Sequence, residues 1–71
     1  MAERINRLKV VLAEKQRTNK WLANELGINP STVSKWCTNS SQPDITLLLR
    51  ISKLLNVELE ELINKEFVES L

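Results

Sequence analysis

The stretch "NKWLANELGINPSTVSKWC", residues 19–37, decides the fold because it contains two helical patterns joined by a tight turn. Its first half carries two leucines four residues apart, a spacing that places both on one helix face. Gly27, the only glycine in the chain, follows where a helix ends and a left-handed residue is favoured. Asn29 then offers a capping oxygen, and Pro30 suits the first helical position because no amide is needed there. The stretch therefore predicts a helix, a turn and a second helix.

The rest of the chain shows the same helical spacing of apolar residues, with strong helix formers and only two prolines. Thr18 and Asp44 are good N-caps for the helices that follow them. The spacing predicts an all-α chain of five helices with these approximate bounds: 3–15, 19–26, 30–37, 45–55 and 58–64. Residues 65–71 are predicted to extend the last helix or to fray.

The composition predicts one small domain over residues 1–71. With 71 residues and 42% hydrophobic content, the chain is too short for a second core. One cysteine and no histidine exclude an internal disulfide and an ordinary zinc site, so we expect no metal and no cofactor. The uninterrupted apolar runs are four residues or fewer, which argues against a membrane span and a signal peptide and predicts a cytoplasmic protein.

The formal net charge of +1 hides an uneven distribution of charged side chains along the chain. Residues 1–20 contain six Lys or Arg against two Asp or Glu, a balance of +4. Residues 57–71 contain one basic and five acidic residues, a balance of −4. A basic part beside an acidic part predicts an anionic partner for one side of the molecule. The alternative is that these are solvated helix faces whose charges happen to be uneven.

The predicted third helix has one apolar side and one side of small polar residues. At about 100° per residue, placing Val33 toward the core puts Ser31 and Lys35 on the opposite side, with Thr32 and Ser34 flanking them. Hydroxyls both donate and accept hydrogen bonds, and the lysine adds one long donor. This chemistry matches base edges in the major groove of DNA, which is wide enough for one helix.

Residues 19–35 resemble the helix-turn-helix of phage repressors and Cro-like regulators, the XRE-type family. Ala23, Gly27 and Val33 stand at the fifth, ninth and fifteenth positions of that unit. Downstream, "QPDITLLLRISKLLNVELEELI", residues 42–63, is similar to the family's apolar skeleton through its fourth and fifth helices. The resemblance covers most of the chain. It implies a compact five-helix repressor-like DNA-binding domain whose helix-turn-helix is formed by helices 2 and 3.

The resemblance implies double-stranded DNA as the partner and assigns the contact residues by position. The third helix is expected to enter the major groove, and the second to cross the sugar-phosphate backbone. The implied base contacts are Ser31, Thr32, Ser34 and Lys35. The implied phosphate contacts are Arg17, Thr18, Asn19, Lys20, Thr38, Asn39, Ser40 and Ser41. Pro30 departs from the family pattern, since relatives often place a base-reading side chain there.

We predict a small transcriptional regulator, a repressor or an autoregulator, that binds a two-fold symmetric operator as a homodimer. The apolar residues Phe67, Val68 and Leu71 are predicted either to form the dimer contact or to pack or fray as a tail. The alternative function is a protein-interaction module of the same fold, such as an antitoxin. An enzyme is not expected, because the chain has no His, no Tyr and no Gly-rich phosphate loop. Nothing in the sequence indicates a small-molecule substrate.

The two tryptophans and the cysteine have structural interpretations. Trp21 and Trp36 are predicted to pack between helices, since a small core needs large side chains. Stacking on bases is the alternative for both. Cys37 is predicted to be a small buried apolar residue, because no histidine is present to activate it as a nucleophile.

Overall fold

α-Helices dominate residues 4–71, the part of the chain that the computed structural model describes. The elements are α1 Leu8–Glu14, α2 Asn19–Leu26, α3 Pro30–Cys37, α4 Ile45–Leu55, a 3-10 helix Leu59–Leu62 and α5 Lys65–Glu69. The prediction of an all-α fold with five helices is confirmed. The bounds of α2, α3 and α4 agree with those expected from the sequence, whereas both ends of the chain differ.

Residues 4–7 are not helical, so the predicted start of the first helix at position 3 is wrong. α1 begins at Leu8, and residues 1–3 lie outside the described part. Asn6 forms an antiparallel bridge with Ile63, and its side-chain Oδ1 accepts a hydrogen bond from the Leu8 amide at 2.9 Å. An asparagine that bonds the amide two residues ahead favours a turn over a helix. Pairing with the far end of the chain therefore outweighs the local helical pattern.

The predicted fifth helix, residues 58–64, is shorter than expected and is not an α-helix. It is the 3-10 helix Leu59–Leu62, and Ile63 then becomes extended to pair with the N-terminal segment. Asn64 begins a new helix, because its Oδ1 accepts from the Glu66 amide at 3.2 Å. The last residues thus form the short helix Lys65–Glu69 instead of extending the preceding helix or fraying.

The turns and caps expected from the sequence are confirmed. Gly27 has φ 69° and ends α2 in the left-handed conformation, and Asn56 ends α4 with φ 55°. Thr18, Asn29 and Asp44 each accept a backbone amide with their side-chain oxygen, at 3.0, 2.9 and 2.9 Å respectively. These bonds satisfy amides that lack partners in the first turn of a helix.

One apolar core joins the helices and the 3-10 helix. Its buried residues are Leu8, Val11, Leu12, Leu22, Ala23, Leu26, Val33, Trp36, Ile51, Leu55 and Leu62. Each element from α1 to the 3-10 helix contributes residues to the core, so α2 and α3 pack against the other elements through their buried faces. Both tryptophans pack as predicted, Trp36 fully buried and Trp21 partly buried against the core.

Candidate nucleic-acid interface

The turn between α2 and α3 fixes how the two helices are placed. The Gly27 amide donates to the Asn24 carbonyl at 3.2 Å, and the Ile28 amide donates to the Ala23 carbonyl at 3.0 Å. Ile28 itself packs against the core beside buried residues of both helices. Bonds on one side of the turn and apolar packing on the other hold α3 in one orientation relative to α2.

α3 presents its small polar side chains to solvent, which confirms the predicted orientation. Val33 has 0% of its surface exposed, whereas Ser31, Ser34 and Lys35 are exposed and Thr32 is half-buried. The cap at Asn29 uses the amide of Ser31 and leaves the serine hydroxyl out of that bond. The outward face of α3 therefore offers hydroxyl donors and acceptors and one cation, with no large apolar group among them.

The loop after α3 has its own hydrogen-bond pattern. The Thr38 hydroxyl donates to the Lys35 carbonyl at 3.1 Å and lies 2.9 Å from the Ser40 hydroxyl. The Ser40 amide also donates to the Lys35 carbonyl, at 2.9 Å. Thr38, Ser40 and Ser41 are exposed, so their polar atoms are accessible at the C-terminal end of α3.

Asn39 differs from its neighbours because its side chain points into the protein. Its Oδ1 accepts from the amides of Ile5 and Asn6, at 2.8 and 2.9 Å, and from the Gln42 side chain at 3.2 Å. Its Nδ2 donates to the Asn6 carbonyl at 3.3 Å. The side chain of this predicted phosphate contact is thus occupied by intramolecular bonds, and what it holds is the extended N-terminal segment.

Asn6 is a residue of this network that the sequence reading missed. Although it is polar, it is buried, with 5% of its surface exposed. Its Nδ2 donates to the Trp36 carbonyl at 2.9 Å and to Gln42 Oε1 at 2.7 Å. The buried amide therefore ties the N-terminal segment to the end of α3 and to the following loop. An asparagine inside an apolar helical pattern was the available signal, but the two acceptors of its Nδ2 lie 30 or more positions away.

The start of α2 brings together the other predicted phosphate contacts. Lys20 is exposed, and Arg17 is exposed with its guanidinium carbon 4.6 Å from the centre of the Trp21 ring. Thr18 uses its hydroxyl oxygen to cap the Trp21 amide. Asn19 is half-buried, and its Oδ1 accepts from the Cys37 thiol at 3.3 Å. Arg17 and Lys20 therefore place two positive charges on the surface at the start of α2.

Cys37 is half-buried and makes a polar contact, so its prediction as a small buried apolar residue is only partly right. Burial raises the pKa of its thiol, and the positive charge of Lys9 acts in the opposite direction. The thiol therefore stays protonated at neutral pH and can donate to Asn19. This contact joins the end of α3 to the start of α2. Within residues 4–71 no group of His, Cys, Asp and Glu side chains is arranged to hold a metal ion.

A second surface feature lies at the other end of the chain. An open groove of about 860 Å³ runs between the 3-10 helix and α5, with Leu59, Ile63 and Val68 among its apolar walls. Its charged lining is acidic on balance, with Glu60, Glu61, Glu66 and Glu69 against Arg7 and Lys65. Acidic side chains repel a phosphate backbone, so this groove does not suit DNA.

Two capped helices joined by a tight turn, the second with its polar face in solvent, define a helix-turn-helix protein. The comparison with protein families agrees: residues 8–62 match the family described as "Helix-turn-helix" (HTH_3). The chain belongs to this family, which is of the Cro/C1 type and XRE-like, and the resemblance seen in the sequence is thereby confirmed.

Among solved structures, the chain is similar to the crystal structure of a "putative DNA-binding protein from Bacteroides fragilis". The two share 55% sequence identity with a TM-score of 0.83, over 84% of this chain and 97% of that chain. No curated protein matches the chain significantly. The family and this relative both support DNA binding through the helix-turn-helix. None of the helices within residues 4–71 is long and apolar enough to cross a membrane.

Proposed function

We propose that the protein is a transcriptional regulator, a repressor or an autoregulator, that binds a specific sequence of double-stranded DNA by inserting α3 into the major groove. The observation that carries the proposal is the exposed face of α3. In this assignment Ser31 and Lys35 contact base edges, with Thr32 and Ser34 beside them. Support comes from the buried Val33 on the opposite side, which anchors the helix with that face outward.

The proposed phosphate contacts lie beside the C-terminal end of α3, where the start of α2 and the loop after α3 come together. At the start of α2 we assign Arg17 and Lys20 as the charged contacts, with Thr18 and Asn19 contributing backbone amides. In the loop after α3 the contacts are Thr38, Ser40 and Ser41. Asn39 belongs to the same loop, and its side-chain bonds give it the role of holding the loop in place. The phosphate contacts set the register, and the base contacts set the sequence preference.

A homodimer on a two-fold symmetric operator completes the proposal. The longest dimension of one chain is 33 Å, and half-sites on one face of DNA lie about 34 Å apart. Two copies related by a two-fold axis would present two α3 helices, one for each half-site. The exposed Val68 and Leu71, 51% and 89% accessible, are available for the contact between copies.

The test is selection of bound duplexes from a random pool, followed by affinity measurements on the selected duplex. We expect a two-fold symmetric motif and affinity that falls as salt rises. The Ser31→Ala, Lys35→Ala double variant should bind at least about tenfold more weakly, since a good base contact contributes about 1–3 kcal/mol.

The matched control removes one serine and one lysine from α4, Ser52→Ala with Lys53→Ala. Ser52 is half-buried and Lys53 is exposed, and neither belongs to the proposed DNA contacts, the proposed dimer contact or the groove. We expect the control to bind within about twofold of the wild type, as surface changes outside an interface do. Equal affinity of both double variants for the selected duplex would contradict the proposal.

The acidic groove favours a second candidate function, a protein-interaction module such as an antitoxin. Its apolar walls and acidic lining suit a basic amphipathic segment of a partner protein. The two functions separate by their residues. Lys35→Ala should leave partner binding through the groove unchanged and should weaken DNA binding, so this substitution distinguishes the two functions.

A further inference from the structure

Arg17 and Trp21 form a cation–π pair at the start of α2. The guanidinium carbon of Arg17 lies 4.6 Å from the centre of the Trp21 ring, well within the range of a cation–π contact. Trp21 is partly buried against the core, so its ring is a fixed platform. Arg17 is exposed, so the pair lies at the surface.

The backbone holds both members of the pair independently of the cation–π contact. The Arg17 amide donates to the Leu12 carbonyl at 2.9 Å, in the turn after α1. The Trp21 amide donates to the Thr18 hydroxyl oxygen at 3.0 Å, in the first turn of α2. The conformational freedom that remains is that of the arginine side chain, and contact with the ring reduces the number of rotamers it can adopt.

A guanidinium in such a contact keeps hydrogen-bonding capacity. The ring occupies one side of the guanidinium, and an arginine has five N–H donors spread in the guanidinium plane, so donors remain for another partner. Those donors match the oxygens of a phosphate in geometry and charge. An arginine held this way has already lost much of the rotamer freedom that it would otherwise lose on binding.

We propose that Trp21 is a positioning residue of the DNA interface, whose ring holds the Arg17 guanidinium ready for a phosphate before DNA binds. The inference rests on the proposed function and goes beyond it, because it gives a core-packing tryptophan a part in binding. The pair acts through Arg17. Trp21 itself contacts no DNA.

The test is a double-mutant cycle on the selected duplex at several salt concentrations. The logarithm of the binding constant falls linearly with the logarithm of the salt concentration. Arg17→Ala should make this negative slope shallower by about 0.9, as expected for the loss of one phosphate contact. Trp21→Leu should weaken binding about two- to fivefold, the equivalent of an exposed cation–π contact. In the Arg17→Ala background, Trp21→Leu should have no further effect on affinity. With Arg17 present, Trp21→Phe should bind with most of the wild-type affinity.

Lys20→Ala is the matched background. Lys20 is an exposed cation in the first turn of α2, next to Trp21. The cation that lies over the Trp21 ring is Arg17. Trp21→Leu should therefore keep its full effect when Lys20 is removed. If Trp21→Leu weakens binding equally with and without Arg17, its role is structural and the inference is overturned.

A measurement without DNA separates this inference from the proposed function. In the free wild-type protein, ring current from Trp21 should shift the Arg17 Hε resonance upfield, and the shift should vanish in Trp21→Leu. An unshifted Arg17 resonance overturns the inference while leaving the proposed function intact. If the wild type shows the shift but binds no duplex from the random pool, the proposed function fails, and the positioning role fails with it.

Discussion

At the scale of single residues, Asn39 joins two parts of the chain that are far apart in sequence. It adopts φ 60°, and its Oδ1 accepts from the amides of Ile5 and Asn6. Without this oxygen, two partly buried amides lose their partner. The left-handed backbone and the hydrogen bonds are separate reasons for an asparagine here, and they predict different effects of different substitutions.

Asn39→Gly should lower the free energy of unfolding by about 1–2 kcal/mol, because it keeps the left-handed backbone but loses the hydrogen bonds. Asn39→Ala should lower it by about 1 kcal/mol more, the cost of an alanine in that conformation. Urea unfolding followed by circular dichroism measures both. Asn56→Gly is the control, since Asn56 has φ 55° and is exposed at the end of α4. A stability of Asn39→Gly equal to that of the wild type would contradict this account.

Residue-level prediction from sequence worked where the signal was local. Thr18, Asn29 and Asp44 were recognisable as caps because each bonds an amide two or three residues ahead. The pairing of Asn6 with Asn39 was not predictable, because it spans 33 residues and depends on where the helices pack. Local hydrogen bonds can be read from spacing, whereas distant ones require the fold.

At the scale of elements, the turn after α2 fixes the direction of α3. Gly27 has φ 69°, and a Cβ built on it would meet nothing within 4 Å. Any cost of a side chain there is therefore a backbone cost and not a clash. Glycine is therefore favoured at position 27 because of its backbone angle, and not because a side chain would lack room.

Gly27→Ala should destabilise the domain by about 1–2 kcal/mol, because alanine disfavours the left-handed conformation. Gly27→Asn should cost less, since asparagine tolerates that conformation. Thermal unfolding measures the difference, with about 4–8 °C expected per kcal/mol for a domain of this size. If alanine and asparagine proved equally destabilising, the cost would have another origin than the backbone angle.

The elements that the sequence predicted well are those with a stripe of apolar residues between two local signals. α2 and α3 have both, and their bounds were as expected. The first and last helices were predicted too long, because Asn6 and Ile63 pair as extended segments at the ends of the chain. Apolar spacing alone does not distinguish a helix from an extended segment that packs on the same core.

At the scale of the whole molecule, charge separates the proposed DNA interface from the C-terminal end. Residues 1–20 carry a balance of +4 and residues 57–71 carry −4, although Arg7 of the first group lies at the acidic groove. The acidic side chains line the groove between the 3-10 helix and α5, whereas the exposed Arg17 and Lys20 stand at the start of α2. A net charge of +1 is thus compatible with a molecule that attracts a polyanion on one side.

The most direct test of the central proposal, that the outward face of α3 binds DNA, is titration of the labelled protein with its selected duplex, followed by NMR. We predict that the largest changes in amide resonances fall on Ser31, Ser34 and Lys35 and on the start of α2. Smaller changes are expected at the acidic residues of α5. Resonances of α3 that stay unchanged while those of the groove around Leu59 and Val68 move would contradict the proposal.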